Sequence, residues 1–187
     1  MEELIEQYLR TLDITTIDCF RALFYKASDS QLDCISERYE NASGLNKEWI
    51  DDDGVQANMI RWLGEELILI SLYHTFEKKL KEIIRYTHST SNGEYQNSES
   101  KLHRWDEMKK HIPENVKNSN EYQQVNTLRV LVNCFKHAGI VSKELKKLEP
   151  SFGEIGDEIS GDLSTLYEMY KTCTSTVIRQ TYENYET

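Results

Sequence analysis

Arg129, Asn133 and His137 stand at intervals of four in the stretch LRVLVNCFKHAG, residues 128–139. In a helix, residues four apart stack on one face. The three types are complementary. An imidazole gives or takes a proton near neutral pH. A guanidinium fork stabilises charge on a phosphate. A carboxamide orients either partner or a substrate oxygen. Lys136 adds a positive charge beside His137, and both fall in the last turn of the helix, where the dipole suits a cation. The same placement has a purely structural meaning, because Arg and His near a helix C-terminus answer the dipole and Asn there often caps. Spacing alone leaves both readings open.

The helix that must carry this line is predicted over about 121–138, with Val125, Leu128, Val132 and Phe135 on its apolar face and Gly139 as its stop. The polar line runs beside that face, where it can edge a cleft. Around it the sequence reads as helix almost throughout. Two prolines and eight glycines in 187 residues favour long helices over short strands. Residues 2–40 predict one or two helices, from Leu4, Ile5, Tyr8, Leu9 and Leu12 and then Phe20, Leu23, Phe24 and Ala27. Residues 41–54 read as a polar break, with Asp51–Asp53 marking a helix start. The strongest helix is expected over about 56–87. Met59, Leu63, Leu67, Ile70, His74, Glu77 and Ile84 form one stripe, and Ile60, Ile68, Leu72, Phe76, Leu80 and Ile83 widen it into a central core helix. A short helix over 101–113 and a last one over about 158–184 complete an all-α bundle of about four to six helices. The expected organisation is a single helical domain over 1–187, with an N-terminal helical extension around 1–40 and a polar loop around 87–100.

Composition narrows the partners. A net charge of −10 gives no global attraction for nucleic acid or an anionic membrane, so any RNA contact rests on a local patch. The longest apolar run, LILISLY, is too short for a bilayer span. The N-terminus lacks the basic and apolar regions of a secretory signal, and the four cysteines form no CxxC pair. Both point to a reducing cytoplasm. No cofactor motif is present: the glycines lack P-loop or dinucleotide spacing. No metal set is read either, since Asp51–Asp53 lack the EF-hand ladder and His103 and His111 have no third ligand.

The 128–139 segment resembles the signature helix of the HEPN superfamily of helical ribonucleases and nucleotide-binding domains. Their usual motif is an Arg, a polar residue that is often Asn, a few residues, then His. Aligned on His137, the polar residue falls on Asn133, but the Arg position falls on Val132; the nearby Arg is Arg129, one turn earlier. The segment LYHTFEKKLKEIIR, residues 72–85, is similar to the preceding HEPN helix, with His74 and Glu77 three apart on one face as supporting residues. The Tyr that follows the His in some toxin members is Gly139 here.

The resemblance implies a metal-independent endoribonuclease, a toxin or anti-phage defence effector. His137 would move the 2′-OH proton or protonate the leaving oxygen. Arg129 would stabilise the phosphorus charge, and Asn133 would orient the imidazole or a phosphate oxygen. Lys136, Lys143 and Lys146 would line the RNA entrance. Such domains typically pair as homodimers, and an antitoxin or other protein partner is a further expectation. The alternative implied is a non-catalytic HEPN-like module that binds a protein partner or a nucleotide, which Val132 in the Arg position favours.

Overall fold

The computed structural model describes residues 2–89 and 102–185. Among these residues lie eight α-helices and no strand; the only β-type pairing is an isolated antiparallel bridge between Ile140 and Glu158. The helices are α1 (Glu2–Arg10), α2 (Thr15–Glu40), α3 (Leu45–Ser89), α4 (Trp105–Met108), α5 (Glu114–Lys117), α6 (Asn120–His137), α7 (Lys143–Leu148) and α8 (Leu163–Glu183). The all-α expectation holds, but eight helices replace four to six: the helix expected over 101–113 contracts to α4 and a 3-10 turn at Lys109–His111, and α5 and α7 are added, each too short for a periodic signal. No helix among the described residues is long and apolar enough to cross a membrane.

The chain divides into two compact units, residues 1–13 with 72–187, and residues 14–71. The larger unit holds the main core. Leu72, Phe76, Leu80, Ile83 and Ile84 of α3 are fully buried, as are Val125, Leu128, Leu131 and Val132 of α6. Tyr167, Tyr170, Val177 and Ile178 supply the buried face of α8, which packs against both α6 and α1. Tyr167, Tyr170 and Tyr182 are therefore core residues. Lys79 anchors α1: its Nζ lies 3.3 Å above the Tyr8 ring and donates to the Tyr8 carbonyl at 3.1 Å.

The smaller unit is a two-helix hairpin of α2 and the first half of α3, joined by residues 41–44. The break expected over 41–54 is four residues long, and α3 begins at Leu45. Asp51–Asp53 therefore sit inside α3, not at its start; Asp53 is held by Arg38 of α2 at 3.1 Å. Gly54 is an ordinary helical residue there, and the left-handed glycine is Gly44 at φ 59°. The seam is held by Arg61–Asp29 at 2.7 Å and Tyr25–Glu65 at 3.0 Å, and by the Phe24 ring seated on Gly64. The first part of the stripe expected to be core is not covered: Met59, Ile60, Leu63 and Leu67 are exposed, and among the expected core positions burial begins at Ile68. The polar loop expected at 87–100 lies outside the described residues from 90 onward; residues 87–89 complete α3.

Candidate functional site

The line of polar residues lies on α6, and local chemistry fixes both ends of that helix. Ser119 caps the start, its hydroxyl accepting from the Tyr122 N–H at 3.1 Å. Gly139 ends it with φ 67°, its N–H donating to the Cys134 carbonyl at 2.9 Å. The chain after Gly139 is pinned by Val141 N–H to the Asp157 carbonyl at 2.8 Å and Ile159 N–H to the Gly139 carbonyl at 2.9 Å. Ser142 then caps α7, accepting from the Leu145 N–H at 3.1 Å. This tight return brings Glu144 back beside α6.

Arg129 is half-buried and fully engaged. Its guanidinium donates to Glu144 at 2.6 Å and to Asn126 Oδ1 at 3.1 Å. It also lies 5.8 Å from the Trp105 ring centroid, a cation–π contact. Trp105 stacks on Tyr122 with centroids 6.4 Å apart and meets Tyr73 at 6.5 Å. Burial first, and Glu77 next, hold the Tyr73 phenol above its ordinary range, while Arg129 pulls it the other way. Burial likewise raises Tyr122, again opposed by Arg129. The guanidinium is thus the cation of an aromatic wall as well as a partner of α7.

Asn133 and His137 are exposed, and no hydrogen bond or ion pair among the described residues engages either side chain. Both line a cleft of about 300 Å³ with Val130, Cys134, Ala138, Ile140, Ser142 and Glu144. The lining is largely apolar, with the His137 imidazole, the Asn133 carboxamide, the Ser142 hydroxyl and the Glu144 carboxylate as its polar groups. Arg129 does not line this cleft, although its partner Glu144 does. Eight residues at the helical rise separate Arg129 from His137 by roughly 12 Å along the axis.

Lys136 and Lys143 are exposed. Lys146 is occupied, donating to Glu154 at 2.9 Å and to the Pro150 carbonyl at 3.2 Å. On α3, His74 is exposed and Glu77 pairs with Lys81 at 3.8 Å. Among the described residues, no group of three or more His, Cys, Asp or Glu is placed to hold a metal ion.

Two residues escape the sequence pattern. Glu144 reaches the cleft and Arg129 only because of the turn at Gly139, and Trp105 is visible in sequence merely as an apolar helix position. The SKEL stretch does carry one signal, a Ser at the helix start, but that signal speaks of capping alone. Comparison with protein-family models, with curated proteins and with solved structures gives no match to this chain.

Proposed function

We propose that this chain is a HEPN-like endoribonuclease, metal-independent in its chemistry, acting as a toxin or anti-phage effector. One observation carries the reading: His137 and Asn133 stand exposed and unengaged at the rim of one cleft, one helical turn apart. An unpaired imidazole at a rim is free to meet a substrate proton, whereas a histidine serving the core would be covered and bonded.

In the proposed step His137 draws the proton from a ribose 2′-OH. The 2′ oxygen attacks phosphorus, the P–O5′ bond breaks, and the 5′ oxygen takes a proton from solvent while the imidazolium returns its own to solvent. The products end in a 2′,3′-cyclic phosphate and a 5′-OH. Asn133 orients the imidazole or a non-bridging oxygen. Arg129 supplies positive charge only by leaving Glu144, or through a second copy pairing across the signature helix. Lys136 and Lys143 offer the local basic patch that a chain of net charge −10 requires to hold RNA.

The test is cleavage of a mixed RNA pool by the purified chain in EDTA. General acid–base catalysis is typically worth ~10²–10⁴-fold, so His137→Ala should lower the rate by that order. Activity lost to chelator, or unchanged in His137→Ala, removes the mechanism.

A second reading has its own observation. Arg129 is bound to Glu144, Asn126 and Trp105, which suits a structural residue in a non-catalytic HEPN-like module for a protein partner or nucleotide. Absence of any cleavage, with wild-type stability, moves the conclusion to that module.

A further inference from the structure

The hairpin of α2 and the first half of α3 carries an apolar face that nothing in its own unit covers. Phe20 and Leu23 stand on α2; Met59, Ile60, Leu63 and Leu67 stand on α3. Their exposure runs from 47% at Leu67 to 70% at Leu23. Scattered exposed apolar residues need no explanation, but these repeat every three to four positions and form stripes. The two stripes lie on the same side of the hairpin. A groove of about 420 Å³ joins them, lined by Phe24, Ala27 and Gln31 of α2 and by Gln56, Ala57 and Ile60 of α3.

We infer that a second copy of this chain covers this face, the two hairpins pairing about a two-fold axis as a four-helix bundle. Three observations select that occupant. The first is size. Side chains of this kind offer on the order of 200 Å² each when fully exposed, so six at these exposures give roughly 700 Å² per copy, close to the ~800 Å² per partner of a standard interface. That exceeds the ~300–600 Å² of the largest apolar patch on a typical monomer.

The second is charge. Two copies of net charge −10 repel, which favours contact over a face that is free of charge. The α2 stripe of Thr16, Phe20, Leu23, Ala27 and Cys34 carries none. The single acid lining the groove, Asp53, is already paired with Arg38 at 3.1 Å.

The third is architecture. A two-helix hairpin with apolar residues on its seam and also on one side lacks a layer, and a second hairpin of the same sequence supplies one. In an isologous contact each stripe meets the same surface on its partner, so no separate complement is required. The inference rests on α2 and α3 alone and is independent of the nuclease reading.

Sedimentation equilibrium on the full chain tests it. At micromolar concentration the wild type should weigh twice the 22.0 kDa chain mass. Leu63→Asp and Leu23→Asp should each weaken association by about 100-fold while leaving the far-UV helical signal unchanged. Ile155→Asp, similarly exposed but outside the hairpin, should leave the mass at that of the dimer. If Leu63→Asp fails to fold, Leu23→Asp carries the comparison, and Cys34 provides a readout on the wild type. That thiol is exposed in one copy, so its labelling rate should fall as concentration rises through the dimer transition. A wild type that stays at the single-chain mass overturns the proposal and leaves the face to a different protein. So does a dimer indifferent to both Asp variants, or one that Ile155→Asp dissociates equally.

Discussion

Lys79→Met probes the contact that holds α1 to the rest of its unit. Lys79 is a buried lysine, 5% exposed, and its ammonium has three partners. It stands 3.3 Å from the Tyr8 ring centroid, donates to the Tyr8 carbonyl at 3.1 Å, and pairs with Glu82 at 3.1 Å. Met keeps most of the stem packing, so the loss is chiefly electrostatic. A cation over a partly exposed ring is worth about 1 kcal/mol. The hydrogen bond from a charged donor contributes about 1.5 kcal/mol. Glu82 loses its cation but stays partly solvated and keeps the Tyr8 hydroxyl at 3.0 Å, adding about 0.5 kcal/mol. The expected loss is about 3 kcal/mol, a fall of roughly 6–12 °C in Tm for a chain of this size. Tyr8→Phe keeps the ring and the carbonyl and removes only the exposed hydroxyl bond, so it should cost under ~1 kcal/mol. Thermal melts followed by circular dichroism measure both. A Lys79→Met melt within about 2 °C of wild type would refute the reasoning, since a loss below ~1 kcal/mol means the ammonium is not held as described.

Other outcomes follow from the same structure. Gly64→Ala places a Cβ 2.0 Å from Phe24 Cζ, so the ring must leave the seam. The expected cost of ~1–3 kcal/mol for overpacking exceeds the ~1 kcal/mol gained in helix propensity, and Gly64→Ala should be tolerated better in a Phe24→Ala background. Arg129→Ala should destabilise by about 2 kcal/mol, through loss of Glu144, Asn126 and Trp105 contacts, while His137→Ala costs about 1 kcal/mol or less; equal melts would contradict the assignment of Arg129 as engaged and His137 as open. Burial first, and the His88 ring next at 3.0 Å, hold the His111 imidazole below its ordinary value of 6.5. Below pH 6.5 the unfolded chain takes up a proton that folded His111 resists, so stability should be full above that pH and fall beneath it. His111→Gln should flatten the dependence of Tm on pH between neutral and mildly acidic buffer.

The helices with one dominant apolar stripe were legible in the sequence. α6 runs within a residue of its reading, because Val125, Leu128 and Val132 bury one face and Gly139 takes the left-handed stop. Of the stripe its periodicity marks, Ile159, Leu163, Leu166, Tyr170, Cys173 and Val177, α8 buries Leu163, Tyr170, Cys173 and Val177, Leu166 is half-buried, and Ile159 is buried ahead of the helix beside the Ile140–Glu158 bridge. The long helix begins at Leu45, well before the start its sequence suggests. An acid triplet followed by Gly looks like a helix beginning, yet Asp53 finds its cation, Arg38, on another helix. Its first half is also more exposed than its pattern suggests. Period 3.6 marks Met59, Leu63 and Leu67 as one face, but no periodicity states whether a neighbour covers it. At the site, the shared face of Arg129, Asn133 and His137 follows from spacing. Their different fates do not, because Glu144 lies 15 residues from Arg129 and reaches it only through the Gly139 turn.

We propose above that His137 moves the proton of a ribose 2′-OH. The most direct measurement maps the product ends after incubation of wild-type chain and His137→Ala with an RNA pool and its 2′-deoxy counterpart, both in EDTA. Expected from the wild type are fragments ending in 2′,3′-cyclic phosphate with 5′-OH partners, no cut in the deoxy strands, and a loss of ~10²–10⁴-fold in His137→Ala. Fragments with 3′-OH and 5′-phosphate ends, cleavage of the deoxy strands, or equal cutting by His137→Ala would contradict it.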